Sequence, residues 1–349
     1  MPRHLDRRSL LAGGAAAASL VTLAGVKVAS ADAKFELKIA TVAPDKTPWA
    51  DLLKDYKKAV EARDKRIKVR VFLGGTMGDE NETVRMTARG QLSGVGASTG
   101  AVASLVEELA AIEIPFQFAS ASEADYVLDK FLLADMEARF KAKDLVLGFW
   151  SENGFRHFGA AFPIKMPGDL KGKKMRSQES YVHIEMWKAL EASAQAIPTT
   201  EVGTALKTGS VDGFDQALLY MVAGAWHTSI KHLTLSAHIY QPAVIAFNRP
   251  WFDGLPADLQ AILLEEGRKL TRPGRDAIRG LNPKLVKIIQ GAGVKVIALD
   301  AAGREAFIKR TAGVAGVVKA KSGASKQVVD LIQKGIAEFR ALSKSRKGK

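Results

Sequence analysis

Cysteine is missing from all 349 residues. That excludes disulfides, thiolate zinc sites, iron–sulfur clusters and cysteine nucleophiles. Aromatic residues are scarce at 7%, too few to build stacking platforms for single-stranded nucleic acid. HExxH and the P-loop pattern are absent, which leaves the corresponding peptidase and nucleotidase chemistries without a motif. No apolar run is strong or long enough for a permanent membrane span. Two near-matches also fail. Gly94-Val95-Gly96-Ala97-Ser98-Thr99-Gly100 resembles a dinucleotide fingerprint, but its last glycine comes one place late and its first two fall inside a strand. Lys207-Thr208-Gly209 matches one box of the penicillin-recognising enzymes, yet no serine is followed three residues later by lysine. His227, His232 and His238 are spaced by five and six, so they share no helix face and make no metal set.

What is there describes a soluble globular protein, 47% hydrophobic and 25% charged. The length allows one large domain or two medium ones. Residues 1–33 have the layout of an export signal: Arg3, Arg7 and Arg8, then an uncharged run from Ser9 to Val26, then small residues suited to cleavage after Ala33. The pair Arg7-Arg8 before Ser9-Leu10-Leu11 resembles a twin-arginine signal, with an ordinary secretory signal as the alternative. Either places the mature chain outside the cytoplasm, with the periplasm expected. Four of the 51 basic and two of the 37 acidic residues lie in 1–33, so the remainder carries a net charge of +12. Outside the cytoplasm this excess suggests an anionic ligand or a solvated basic tail, where Lys344, Arg346, Lys347 and Lys349 crowd together.

Beyond the signal, β-like runs alternate with helical patterns, which predicts an α/β fold. Strands are expected at 35–42, 67–73, 92–98, 211–215 and 294–299. Helices are expected at 49–62, 81–89 and 201–207, with a long one starting near Pro256 and broken at Gly291-Ala292-Gly293. Two helix-to-strand turns, around Gly90 and Gly209, share the pattern x-x-G-x-aliphatic-x-Gly, as two lobes of related build would. Ligands of open α/β lobes bind at strand C-termini, here Val42-Ala43-Pro44, Gly75-Thr76, Ala97-Ser98-Thr99 and Phe214-Asp215-Gln216. Arg156 and Arg176 are placed near strand ends. From there a planar guanidinium can grip a carboxylate with two parallel hydrogen bonds.

The ordered set Gly74-Gly75 with Gly78, Gly90-Gln91-Leu92, Ile114-Pro115-Phe116, Gly154-Phe155-Arg156, Asp169-Leu170-Lys171-Gly172 with Arg176, Thr208-Gly209-Ser210-Val211-Asp212-Gly213 and Leu255-Pro256 resembles the DctP-type substrate-binding proteins of TRAP (tripartite ATP-independent periplasmic) transporters. The likeness spans nearly the whole mature chain. It implies a two-lobed periplasmic-binding-protein-like fold with discontinuous lobes, a hinge and a long bridging helix. The lobes are expected at 34–153 plus about 241–280, and at 154–240 plus about 281–349. It implies capture of a small organic acid by lobe closure and delivery to TRAP permease subunits. From the residues themselves no cofactor, no metal ligands, no catalysis and no nucleic-acid partner are expected. After signal cleavage the chain would not insert in a membrane.

The resemblance also assigns residues. Arg176 would grip the carboxylate and Arg156 would assist. Where relatives read Asp-Gly-Gln-Glu-Asn-Pro, this chain has Asp212-Gly213-Phe214-Asp215-Gln216-Ala217. Gln216 could replace the amide donor, Asp215 lies in the same stretch, and Phe214 is either a pocket wall or core. Trp49 either lines the first lobe or packs on its helix face. Glu80, Ser98 and Thr99 are further candidates from strand-end or loop positions. The rival readings are an exported enzyme with an unrecognised site, or a binding protein for an ABC transporter or a signalling receptor.

Overall fold

A computed structural model describes residues 33–347. The expected export segment, apart from Ala33, and the last two residues lie outside the described residues. One nine-stranded sheet runs through the molecule. It is built from β1 (Phe35–Ala40), β2 (Ile67–Phe72), β3 (Gly94–Ser98), β4 (Leu145–Ala160), β5 (Lys174–Ser177), β6 (Ser193–Ala196), β7 (Gly213–Ala217), β8 (His232–Asn248) and β9 (Lys295–Ala298). Its order is β2-β1-β3-β8-β4-β7-β5-β6, with β9 paired to the free side of β8.

Local sequence explains the outer pieces. In β2, Ile67 and Val69 point inward while Lys68 and Arg70 face solvent, the period-2 pattern of a half-buried strand. Helix α1 (Pro48–Arg63) starts where the Thr47 hydroxyl accepts from Ala50 N–H and Pro48 sits at the first helical position. It buries Trp49, Leu52, Leu53, Tyr56 and Val60, the face expected from the 3.6-residue spacing. Helix α2 (Glu80–Ala88) ends before Gly90, and the short helix Val202–Lys207 ends before Gly209. Both glycines have positive φ, 76° and 69°, so the two similar turns have similar geometry. The strand expected at 211–215 lies two residues later, at 213–217.

The two lobes are joined through β4 and β8, the longest strands, which sequence periodicity did not mark. β3 pairs with β8 over Gly94–Ser98. β7 pairs with β4 over Arg156–Ala160, and β9 with β8 over His232–Leu235. Each long strand therefore belongs to one lobe at one end and to the other lobe at its opposite end. The crossing between them is irregular. The β4–β8 register shifts between Leu147 and Phe149, between Glu152 and Gly154, and between Arg156 and Phe158. Gly154 has φ 97°, a backbone that side chains disfavour, and Glu152 lies opposite Pro242, which has no N–H to give the ladder. Bulges of this kind bend a strand pair locally.

The cores repeat the division. One cluster gathers Leu37, Ile39, Tyr56 and Phe149 with Leu259, Leu263 and Ile278. Another gathers Val202, Phe214, Trp226 and Leu233 with Leu285 and Ile289. The helix Ala257–Gly291 supplies the last residues of both clusters and so bridges the lobes, 35 residues long with Pro273 and Pro283 inside it. The division expected from sequence put 281–349 in the second lobe. Its final helix nevertheless shares one buried cluster, through Val328, Val329, Ile332 and Ile336, with Leu109, Val127, Leu128 and Leu132 of the first. Among the described residues no helix is long and apolar enough to cross a membrane.

Candidate ligand-binding cleft

A cleft opens where the lobes face each other. Thr41, Val42 and Ala43 line it from the end of β1, and Gly96 and Ala97 from β3. A Cβ on Gly96 would stand 2.9 Å from the Trp49 ring, so only glycine lets the indole lie against the strand. The Trp49 Nε1–H donates to the Glu152 carbonyl at 2.8 Å and to Asn153 Oδ1 at 3.2 Å. Trp49 thus both lines the cleft and packs on α1. Asn153 comes from the irregular crossing of β4. Gln178, Thr199, Gln216 and Tyr220 come from the second lobe, and Gln241 from the crossing of β8. No lysine or arginine is part of this lining.

The two arginines singled out by sequence lie behind the wall, and they differ. Arg156 does not sit at a strand end. It lies inside β4, fully buried. Its Nε donates to Asp215 Oδ2 at 2.5 Å and its Nη2 to the Asp215 carbonyl at 2.6 Å. Its Nη1 donates to Gln216 Oε1 at 2.9 Å and Gln241 Oε1 at 2.8 Å. Every nitrogen of its fork already has a protein acceptor. Burial works to raise the Asp215 carboxyl, but the Arg156 charge, His238 and His183 outweigh it and hold Asp215 well below the usual carboxylate range. His183 and His238 approach Asp215 Oδ2 at 3.7 and 3.4 Å.

Arg176, on β5, is also buried, but no carboxylate pairs with it among the described residues. Its Nε donates to the Ile197 carbonyl at 2.9 Å and its Nη2 to Thr199 Oγ1 at 3.2 Å. The Trp226 ring lies 5.5 Å from its guanidinium carbon. Its Nη1 is buried with no acceptor among the described residues. Burial and the Arg156 charge push this guanidinium down to about 10, against the pull of Asp215, Asp79 and Glu80. At neutral pH it remains a cation without a counter-ion. It reaches the cleft through Thr199, which is itself part of the lining.

The other candidates divide. Glu80, the first residue of α2, lines the cleft and accepts from the Ser98 backbone N–H at 2.8 Å and from the Ser98 hydroxyl at 3.0 Å. Burial first and the neighbouring Asp79 second push its carboxyl up to about 7, although Ser98 and Arg176 pull the other way. Ser98 receives Gln178 Nε2 at 2.7 Å and caps the short helix after β3. Gln216 lines the cleft, its oxygen held by Arg156 and by Ala217 N–H. Its Nε2 makes no hydrogen bond with any described residue. Phe214 is core, with its ring edge-on to Trp226 at 5.2 Å. Asp215 and Thr99 are buried beneath the wall, Thr99 donating towards Glu113 at 2.5 Å.

Sequence reasoning missed the amides that knit the wall together. Gln241 Nε2 donates to Gln178 Oε1 and to Glu113 Oε2, both at 2.8 Å. Glu113 Oε2 also meets His183 Nε2 at 2.5 Å. These pairs join distant segments, and no motif or spacing within one segment marks them. Several bonds cross the cleft from lobe to lobe: Gln178 to Ser98, Asn81 Nδ2 to Glu179 at 3.1 Å, and Thr200 N–H to Asp79 at 3.3 Å. The structure is therefore a closed arrangement. Among the described residues no group of acids and histidines is placed to hold a metal.

Comparison with known proteins agrees with this geometry. The family model for bacterial extracellular solute-binding protein, family 7 (DctP) matches residues 39–317. A solute-binding protein of Verminephrobacter eiseniae is 34% identical over 69% of this chain and 73% of its own length. The 2,3-diketo-L-gulonate-binding periplasmic protein YiaO of Escherichia coli is 27% identical over 76% of this chain and 85% of its own length. Among solved structures, the sugar acid binding protein DctPAm of Advenella mimigardefordensis, in complex with galactonate, superposes with a TM-score of 0.81. It is 27% identical and covers 86% of this chain and 98% of its own. This chain belongs to the bacterial extracellular solute-binding proteins of family 7, the DctP family.

Proposed function

We propose that this protein is the periplasmic receptor of a TRAP transporter. It captures a small organic acid between its lobes and hands the closed complex to the membrane permease. The observation that carries this reading is the Arg176 guanidinium, buried without a carboxylate and with Nη1 lacking an acceptor. A buried unpartnered donor costs about 1–3 kcal/mol, and a charged one more. An incoming carboxylate removes that cost and forms charge-assisted bonds of roughly 1.5–3 kcal/mol each, a large share of the ~8 kcal/mol of micromolar binding. Arg156 serves differently. Paired with Asp215, it holds Gln216 and Gln241 in position behind the wall.

The relatives support an acid ligand: one is named for a diketo-gulonate, and another holds galactonate. The lobes divide at the hinge near Glu152–Gly154 and Tyr240–Pro242. The first comprises 34–153 with 241–280, and the second 154–240 with 281 onward, the final helix docking back on the first. Binding is the whole task and no bond is made or broken. The export segment 1–33, with Arg7-Arg8, carries the folded chain out by the twin-arginine route. A thermal-shift screen of residues 34–349 against a panel of carboxylates tests the proposal, since a ligand that binds only the folded state raises its stability. At least one acid raises the melting temperature of the wild type and leaves that of Arg176→Ala unmoved. A panel without effect, or equal shifts in both proteins, would refute the reading.

A further inference from the structure

We infer that the cleft selects a monoanionic, polyhydroxylated acid over dicarboxylates, and that Glu80 sets this choice. The inference rests on the carboxylate-receptor reading above and deepens it.

No lysine or arginine lines the cleft, and Arg156 is neutralised by Asp215. Among the described residues that leaves Arg176 as the single unpaired cation beside the cleft, and one guanidinium matches one carboxylate. A second carboxylate would have to give up its water opposite amides, a phenol and another acid. An ionised group taken into such a site without a counter-charge is strongly disfavoured.

Among the described residues the only carboxyl on the lining is Glu80. When ionised, it repels a second carboxylate on the ligand. When protonated, it offers a single donor and no positive charge. Its elevated titration, to about 7, means that both forms occur near neutral pH, and neither compensates a dianion. Ser98 fixes both of its oxygens, so the group cannot swing away to make room.

The rest of the wall suits hydroxyls. Each carboxylate oxygen of Glu80 keeps a free lone pair beside its bond to Ser98. Gln216 Nε2 is a donor with no described partner, and the Tyr220 hydroxyl is held only at 3.4 Å by the Val42 carbonyl. Thr41 also faces the cleft, its oxygen accepting from Ala43 N–H at 3.2 Å and its own proton uncommitted. A hydroxyl both donates and accepts, so it can answer this mixture of donors and acceptors. A methylene chain would leave them all desolvated and unpaired, a large penalty for a site built on hydrogen bonding.

Isothermal titration of residues 34–349 tests this with three sets of probes. These are polyhydroxy monoacids (D-gluconate, D-galactonate and D-glucuronate), the dicarboxylate succinate, and the unhydroxylated monoacid butyrate. The tightest polyhydroxy acid binds at least tenfold more strongly than succinate and butyrate. In Glu80→Gln, with its fold checked by thermal melting, the advantage over succinate shrinks at least tenfold. Succinate or butyrate within tenfold of the best hydroxy acid overturns the inference while leaving the carboxylate receptor intact. An unchanged ratio in Glu80→Gln removes Glu80 from the role. If none of the acids binds, or if all bind Arg176→Ala as well as wild type, the underlying reading fails instead.

Discussion

Arg156 and Arg176 lie in the same interior, yet their surroundings assign them opposite tasks, and mutation separates the two. Arg156→Ala leaves the Asp215 carboxylate buried and unpaired, and losing one partner of a buried pair costs about 3–5 kcal/mol. Denaturant unfolding of the ligand-free protein should show that loss. Arg176→Ala removes a cation that has no counter-ion, so the same experiment should show little change. Affinity for the acid falls at least tenfold instead, and Arg176→Lys also weakens it, because an ammonium cannot reproduce the fork. Equal stability losses in both alanine variants would erase the distinction.

Glu80 adds a pH dependence at the same scale. Its folded carboxyl titrates near 7 against an ordinary value of 4.5, so between these pH values the folded state holds a proton that the unfolded state has released. Its contribution to stability is complete below about 4.5 and is lost as pH rises through about 7. Asp79 beside it is raised by burial too, and Arg176 and Tyr220 are the other titratable groups that feel this charge. Melting temperatures of the ligand-free protein should fall across that window, and less so in Glu80→Gln. Parallel profiles would contradict the assignment.

Among the elements, the bridging helix is tied to the hinge. Arg279 on that helix donates from Nη1 and Nη2 to Asp125, both at 2.7 Å, and from Nη2 to Glu152 at 2.5 Å. Tyr240, opposite in β8, donates to Glu152 at 3.0 Å. Glu152 also receives the Trp49 indole on its carbonyl, so one hinge residue touches both the helix and the cleft wall. Arg279→Ala should lower stability by about 2–3 kcal/mol, the worth of a hydrogen bond to a charged group with its partner left behind. Urea unfolding measures it, and an unchanged midpoint would show the tie to be idle.

The same elements show what the sequence could and could not tell. Helix α1 was legible because its cap, its proline and its apolar stripe lie within a few residues of one another. β4 and β8 were not. They are buried on both faces, so they show no alternation, and bulges break what period remains. The site followed the same rule. Trp49, Glu80, Arg176 and Gln216 were accessible from strand-end logic and family resemblance. Gln178 and Gln241 were not, because their roles depend on pairing across 63 residues of chain. Phe214 looked equally suited to wall or core until Trp226 was seen packed against it.

At the scale of the whole molecule, the lobes meet through few direct bonds. Asn81 to Glu179 is one, and neither residue lines the cleft. Because a ligand draws on the difference between open and closed states, weakening this contact should weaken binding without touching the ligand. Asn81→Ala is expected to lower affinity about three- to tenfold, the effect of a single hydrogen bond of about 1 kcal/mol. Titration calorimetry reads it, and unaltered affinity would mean that closure does not draw on this contact.

A crystal structure of the mature chain with its tightest-binding acid decides whether Arg176 receives the ligand. A ligand carboxylate oxygen is expected about 3 Å from Nη1 of Arg176, supplying the acceptor that this buried nitrogen lacks. A bound acid whose carboxylate sits elsewhere, with Nη1 of Arg176 still without a partner, would contradict it.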